Sequence, residues 1–313
     1  MKADISTTIG GVKLASCIFN TSGPRDETLP LLKIIGKSAS SAITMKSCTL
    51  EPRVGNPEPR YADLPNKSSI NSMGLPNLGY KEYVRFVPIL KKEFKKPVVA
   101  SICGMTLEDD VVMFNAFNKV NVDLIEFNPG SPNTIGKPIV GYDAREMDRL
   151  LAKVTKICKK PLGVKLPPYF DLVHFEEITK VLKKYPISFI TCINSIGNGL
   201  VIDPKTETAI IKPKGGFGGI GGRAIKYTTL ANVRKFYELL GNKIQIIGVG
   251  GVSSGVDAFE LILAGASAVQ VGTVYMQEGP KCFARIQKEL ADYMSKKGYK
   301  TIEDFRGKLK VIE

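Results

Sequence analysis

Tryptophan is absent from the 313 residues, and histidine occurs once, as His174. A single imidazole leaves Ser-His and Cys-His catalytic pairs with little to work with, and His174, at the start of a presumed helix, reads as structural. The six cysteines (17, 48, 103, 158, 192 and 282) form no CxxC pair, which indicates neither a zinc knuckle nor a disulfide framework and points to free thiols in a reducing cytosol. No carboxylate, His or Cys cluster has metal-ligand spacing, so no metal is expected. Long apolar runs are also missing. Stretches such as 244–249 and 266–271 fall far short of the ~20 residues that span a bilayer and read as buried strands. Residues 1–11 lack the apolar segment of a secretory signal, so the expected location is the cytoplasm. Nor is there a GxxxxGK(S/T) loop to suggest a nucleoside triphosphate.

What is present suits a globular chain: 43% hydrophobic residues, 30 Gly, 19 Pro and a mean hydropathy of +0.00. Basic residues outnumber acidic ones 44 to 30, a net +14. The lysines fall in small clusters (91, 92, 95, 96; 159, 160) without interleaved aromatics. That pattern reads as solvated helix faces rather than a nucleic-acid surface, and it remains compatible with a small anionic ligand.

Short β-branched runs alternate with longer amphipathic stretches, the pattern of βαβ units around a parallel sheet. Strands are expected at 16–20, 41–46, 98–102, 122–128, 162–165, 188–194, 244–249 and 266–271, and helices at 26–35, 80–94, 107–119, 143–158, 172–184, 229–240, 253–264 and 280–297. Eight repeats argue for a TIM (β/α)8 barrel, with a doubly wound sheet as the runner-up. Polar residues or glycine end most of the strands, and a barrel gathers such ends into one mouth. Residues 5–9 and 12–15 around Gly10-Gly11 read as a small hairpin plugging the barrel's bottom. Two long connections, 47–79 and 195–228, follow strands two and six and are expected to cover a ligand. Residues 1–313 read as a single domain.

Glycines gather at 215–222, 248–251 and 272–273. Those leaving strands seven and eight lie where TIM barrels commonly hold a phosphate, so a phosphorylated cofactor is the natural occupant and flavin mononucleotide (FMN) one candidate. Lys46 and Lys165 end strands after apolar runs, a position from which a cation meets an anion or an electron-rich ring. Asn71, Asn77, Asn128, Asn133, Asn194 and Asn198 offer paired donors and acceptors suited to a planar ligand.

The segments 71–77 (NSMGLPN), 163–170 (GVKLPPYF) and 194–199 (NSIGNG) resemble dihydroorotate dehydrogenase, and the likeness runs through 211–214 (IKPK) and 218–222 (GGIGG) to 307–309 (GKL), essentially the whole chain. The resemblance implies an FMN-binding barrel that oxidises dihydroorotate to orotate in pyrimidine biosynthesis. The short N-terminus looks like the soluble class 1A branch, homodimers that use fumarate as oxidant. Carried over by motif, Lys46, Asn71, Met73, Gly74, Leu75, Asn128, Asn133, Asn194 and Ser195 would hold the substrate. Ser22, Lys46, Ser47, Lys165, Gly222, Gly250, Gly251, Gly272 and Thr273 would hold FMN, and Ser131 and Lys165 would be catalytic.

One stretch departs from the family. Its loop after strand four normally reads Asn-Leu-Ser-Cys-Pro-Asn, with the Cys as base; here residues 128–133 read NPGSPN. Ser131 stands at the cysteine's position, and a hydroxyl is a far weaker acid than a thiol of pKa ~8.5. Two alternatives therefore stay open beside the dehydrogenase: a flavin oxidoreductase acting on a related planar substrate, and a catalytically silent flavin-binding protein.

Overall fold

A computed structural model describes residues 3–129 and 138–312. The β-branched runs form eight strands: β1 (Ile18–Asn20), β2 (Ile43–Thr44), β3 (Val98–Ile102), β4 (Leu124–Phe127), β5 (Leu162–Leu166), β6 (Phe189–Cys192), β7 (Gln245–Val249) and β8 (Ala268–Val271). Their order in the sheet is β1-β8-β7-β6-β5-β4-β3-β2, every pairing parallel. Side chains clasp the seam between β1 and β2. The Asn20 amide donates to the Thr44 carbonyl (2.8 Å) and accepts from the Thr44 N–H (2.9 Å), while Ser41 donates to the Ile18 carbonyl. The sheet thus approaches closure, and the barrel is the expected fold.

The helices outside it are α1 (Leu29–Lys37), α2 (Tyr80–Glu93), α3 (Leu107–Asn118), α4 (Ala144–Ile157), α5 (Leu172–Leu182), α6 (Lys226–Leu240), α7 (Gly255–Ala264), α8 (Thr273–Glu278) and α9 (Lys281–Lys296). Three differ from expectation. α1 begins at Leu29 rather than residue 26, with Pro30 in its first turn where a missing N–H costs nothing. α6 begins a turn early, at Lys226, and the short α8 was not anticipated. None of the described helices is long and apolar enough to cross a membrane.

The hairpin Thr7–Ile9/Val12–Leu14 closes the bottom. Its Ile9 and Leu14 pack with Phe19, Leu124, Phe189 and Ile247 into a fully buried layer. Gly163 makes room there, since a Cβ at that position would lie 2.0 Å from the Phe189 ring.

The two long connections are not irregular. They pair with each other in a four-stranded antiparallel sheet, Ile196–Leu200, Phe217–Gly222, Ser68–Asn71 and Tyr61–Leu64. The glycines at 218–222 accordingly belong to a strand rather than to a flexible turn.

Candidate active site

Side chains alternate along a strand, so residues two beyond the apolar layer also point into the barrel, one layer nearer the mouth. That layer is polar: Ser101, Glu126, Lys165, Thr191 and Gln270, all buried. Lys165 Nζ donates to Thr21 Oγ1 (3.2 Å) and lies 3.8 Å from Glu126 Oε1. Glu126 Oε2 accepts from Thr191 Oγ1 (2.8 Å) and Gln270 Nε2 (3.3 Å). The strand-end lysine is thus held by a wholly buried carboxylate. Sequence reasoning passed over Glu126, although a charged residue in a buried strand, at even spacing from Leu124, was the available signal.

Lys46, beyond the end of β2, is nearly enclosed. Its ammonium donates to the Gly23 carbonyl and to Glu27 Oε1 (3.3 Å), with Asp26 Oδ1 at 3.9 Å. Next to it, Ser47 Oγ lies 3.0 Å from Ser22 Oγ and 2.7 Å from Ser101 Oγ, and it accepts from Asn128 Nδ2 (3.2 Å). Asn128 Oδ1 and Gln270 Oε1 are buried without a hydrogen-bond partner among the described residues.

After β7, Gly250 (φ +124°) and Gly251 (φ +81°) adopt backbone that side chains resist. A Cβ at Gly251 would fall 2.5 Å from Lys226 Cα. Lys226 in turn reaches Asp257 Oδ1 (2.6 Å) and Glu260 Oε2 (2.5 Å), tying the start of α6 to the start of α7 beside the glycines. Burial pulls the Lys226 ammonium down, and the two carboxylates outweigh it, leaving its pKa raised. Beyond β8, Gly272 precedes Thr273, whose Oγ1 lies 3.1 Å from Ser69 Oγ of the mouth sheet.

A cavity of about 310 Å³ opens between these elements. Its walls bring together Ser22, Lys46, Ser47, Asn71, Met73, Gly74, Leu75, Asn128, Lys165, Asn194, Ser195, Gly222, Gly250, Gly251, Gly272 and Thr273. Ser131 and Asn133 lie outside the described residues. Asn77 does not line the cavity: its amide is spent on Thr49, Leu75 and Gly79, holding the loop. Asp171 caps α5 at the surface by accepting from the His174 N–H, and the exposed His174 ring pairs with the same carboxylate. The acidic wall beside Lys46, formed by Asp26 and Glu27, is hidden from sequence reasoning because its residues read as the first turn of a helix that in fact starts at Leu29.

A family model described as dihydroorotate dehydrogenase matches residues 4–294. The chain is 48% identical over 311 residues to dihydroorotate dehydrogenase A (fumarate) of Lactococcus lactis subsp. cremoris (strain MG1363), covering 98% of this chain and 100% of that one. It is 49% identical over 306 residues to putative dihydroorotate dehydrogenase A (fumarate) of Streptococcus equi subsp. equi (strain 4047), covering 97% of each. The ligand-free dihydroorotate dehydrogenase of Eimeria tenella has a like fold, with a TM-score of 0.83 at 19% identity over 97% of this chain and 91% of that one.

Proposed function

The chain belongs to the dihydroorotate dehydrogenase family, a family of flavin enzymes, and from that premise we propose that it oxidises dihydroorotate to orotate with FMN as its flavin and fumarate as electron acceptor. The observation that carries this reading is the convergence of Lys46, Lys165, Asn71, Asn128, Asn194 and a glycine cradle on one cavity at the carboxyl ends of the strands.

The donor set fits the cofactor. Gly222, Gly250, Gly251, Gly272 and Thr273 supply backbone and hydroxyl groups for a phosphate where a Cβ at Gly222 or Gly251 would meet main chain. Ser22, Ser47, Lys46 and Lys165 supply donors for the ring, and the unpartnered Asn128 and Gln270 oxygens can accept from a ligand N–H. When bound, the flavin supplies the hydride acceptor for C6 of the substrate. Lys165, held 3.8 Å from Glu126, places its ammonium beside the ring. Asn71, Asn128, Asn133, Asn194, Ser195 and the backbone of Met73, Gly74 and Leu75 hold the substrate, with Lys46 near its carboxylate. Ser131 takes the C5 proton. Two electrons and two protons then convert fumarate to succinate.

The protein acts in the cytoplasm as a homodimer, for which the exposed Leu200, Ile202 and Phe217 beside the mouth sheet offer an apolar face. The test is turnover: dihydroorotate and fumarate should yield orotate and succinate in equal amounts. Flavin-loaded protein that makes neither would refute the assignment. The changed loop 128–133 favours one second reading, a related planar substrate, and reduction of the flavin by such a compound but not by dihydroorotate would establish it.

A further inference from the structure

Three candidates stand outside the roles already assigned. The ion pair of Lys226 with Asp257 braces the glycine cradle. A small cavity near Tyr237 and Arg306 lies on the barrel's far side, and its Gln245 is spent on the plugging hairpin. The third is the acidic wall at Lys46, formed by Asp26 and Glu27.

Asp26 is fully buried, and its two oxygens are used unequally. Oδ2 accepts from the Gly23 N–H (2.7 Å), fixing the turn whose carbonyl holds Lys46, while Oδ1 has no hydrogen-bond partner among the described residues and lies 3.9 Å from Lys46 Nζ. Glu27 contacts the same ammonium but is 25% exposed and can turn to solvent; Asp26, at 0%, cannot. We propose that Asp26 is a positioning residue which, by gaining or losing a proton, sets how much of the Lys46 charge an anionic ligand meets. This rests on reading the cavity as an orotate site.

Charged Asp26 neutralises Lys46 from behind and competes with a ligand carboxylate for it. Neutral Asp26 leaves the ammonium to the ligand. The groups facing Asp26 are Lys46 beyond β2, Glu27 in its own loop, Lys165 on β5, Tyr83 on α2, and Tyr275 on α8 with Arg25 near it. Burial raises the Asp26 carboxyl to about 7, against the opposing pull of Lys46. The acid is therefore neutral below that pH and charged above it, so anion affinity falls as pH rises through neutrality. By linkage, binding an anion near pH 7 draws in a proton.

The experiment is isothermal titration of orotate into the FMN-loaded enzyme from well below to well above pH 7, in buffers of differing ionisation enthalpy. The expected results are affinity about tenfold weaker on the alkaline side, the scale of one unit charge acting across a partly polar site, and net proton uptake near the midpoint. Asp26→Asn, whose amide oxygen can still accept from Gly23, should flatten the profile and abolish the uptake, whereas His174→Gln should leave both intact. A pH profile retained in Asp26→Asn, or wild-type binding without proton uptake, would overturn the proposal; the second readout needs no variant to fold. Failure of orotate to bind at any pH would instead remove the orotate reading, and this inference with it.

Discussion

Lys165 concentrates the account at the scale of a single residue. Its ammonium has one buried carboxylate at 3.8 Å and one hydroxyl at 3.2 Å, so it serves both stability and chemistry. Lys165→Ala should slow flavin reduction by dihydroorotate at least tenfold and lower stability by about 3 kcal/mol, because it strands the buried Glu126 carboxyl without its partner cation. Adding Glu126→Gln should recover most of the stability and none of the rate. Stopped-flow reduction and chemical unfolding separate the two, and a double variant that regains its rate would contradict the role given to the lysine. Ser131→Cys should speed reduction at neutral pH if the hydroxyl is a poor base, and an unchanged rate would mean that proton removal there is not limiting. Both lysines were legible in the sequence, since a cation after an apolar strand has few bland explanations. Their carboxylate partners were not. Glu126 sits inside an apolar run, and Asp26 lies ahead of a helix whose true start depends on Pro30.

Among the elements, all eight strands could be read from their β-branched runs and punctuating glycines, and the plugging hairpin from Gly10-Gly11. The mouth sheet could not. Its strand Phe217–Gly222 is mostly glycine, a composition that argues against a strand. The reason is steric: a Cβ at Gly218 would lie 2.6 Å from the Asn71 carbonyl, and one at Gly199 2.3 Å from Ile220. Strands that pack this closely over a site need glycine, and only the partner strand, distant in sequence, reveals why. The cradle follows the same logic. Gly251→Ala should shift the loop off Lys226 and weaken FMN binding by about tenfold or more while the barrel still folds. Cofactor content after dialysis and far-ultraviolet circular dichroism together check this, and full retention of flavin would contradict the cradle.

For the whole molecule, the net charge of +14 favours the approach of an anionic substrate, and Leu200, Ile202 and Phe217 are exposed. Sedimentation should find a dimer at micromolar concentration, and Ile202→Asp should shift it toward monomer. A monomer in the wild type would remove the homodimer from the account. The purified protein should show a flavin spectrum that bleaches on anaerobic mixing with dihydroorotate and returns on adding fumarate. A flavin that stays oxidised in the presence of dihydroorotate would contradict the account, and protein that neither carries nor takes up flavin would contradict its cofactor site.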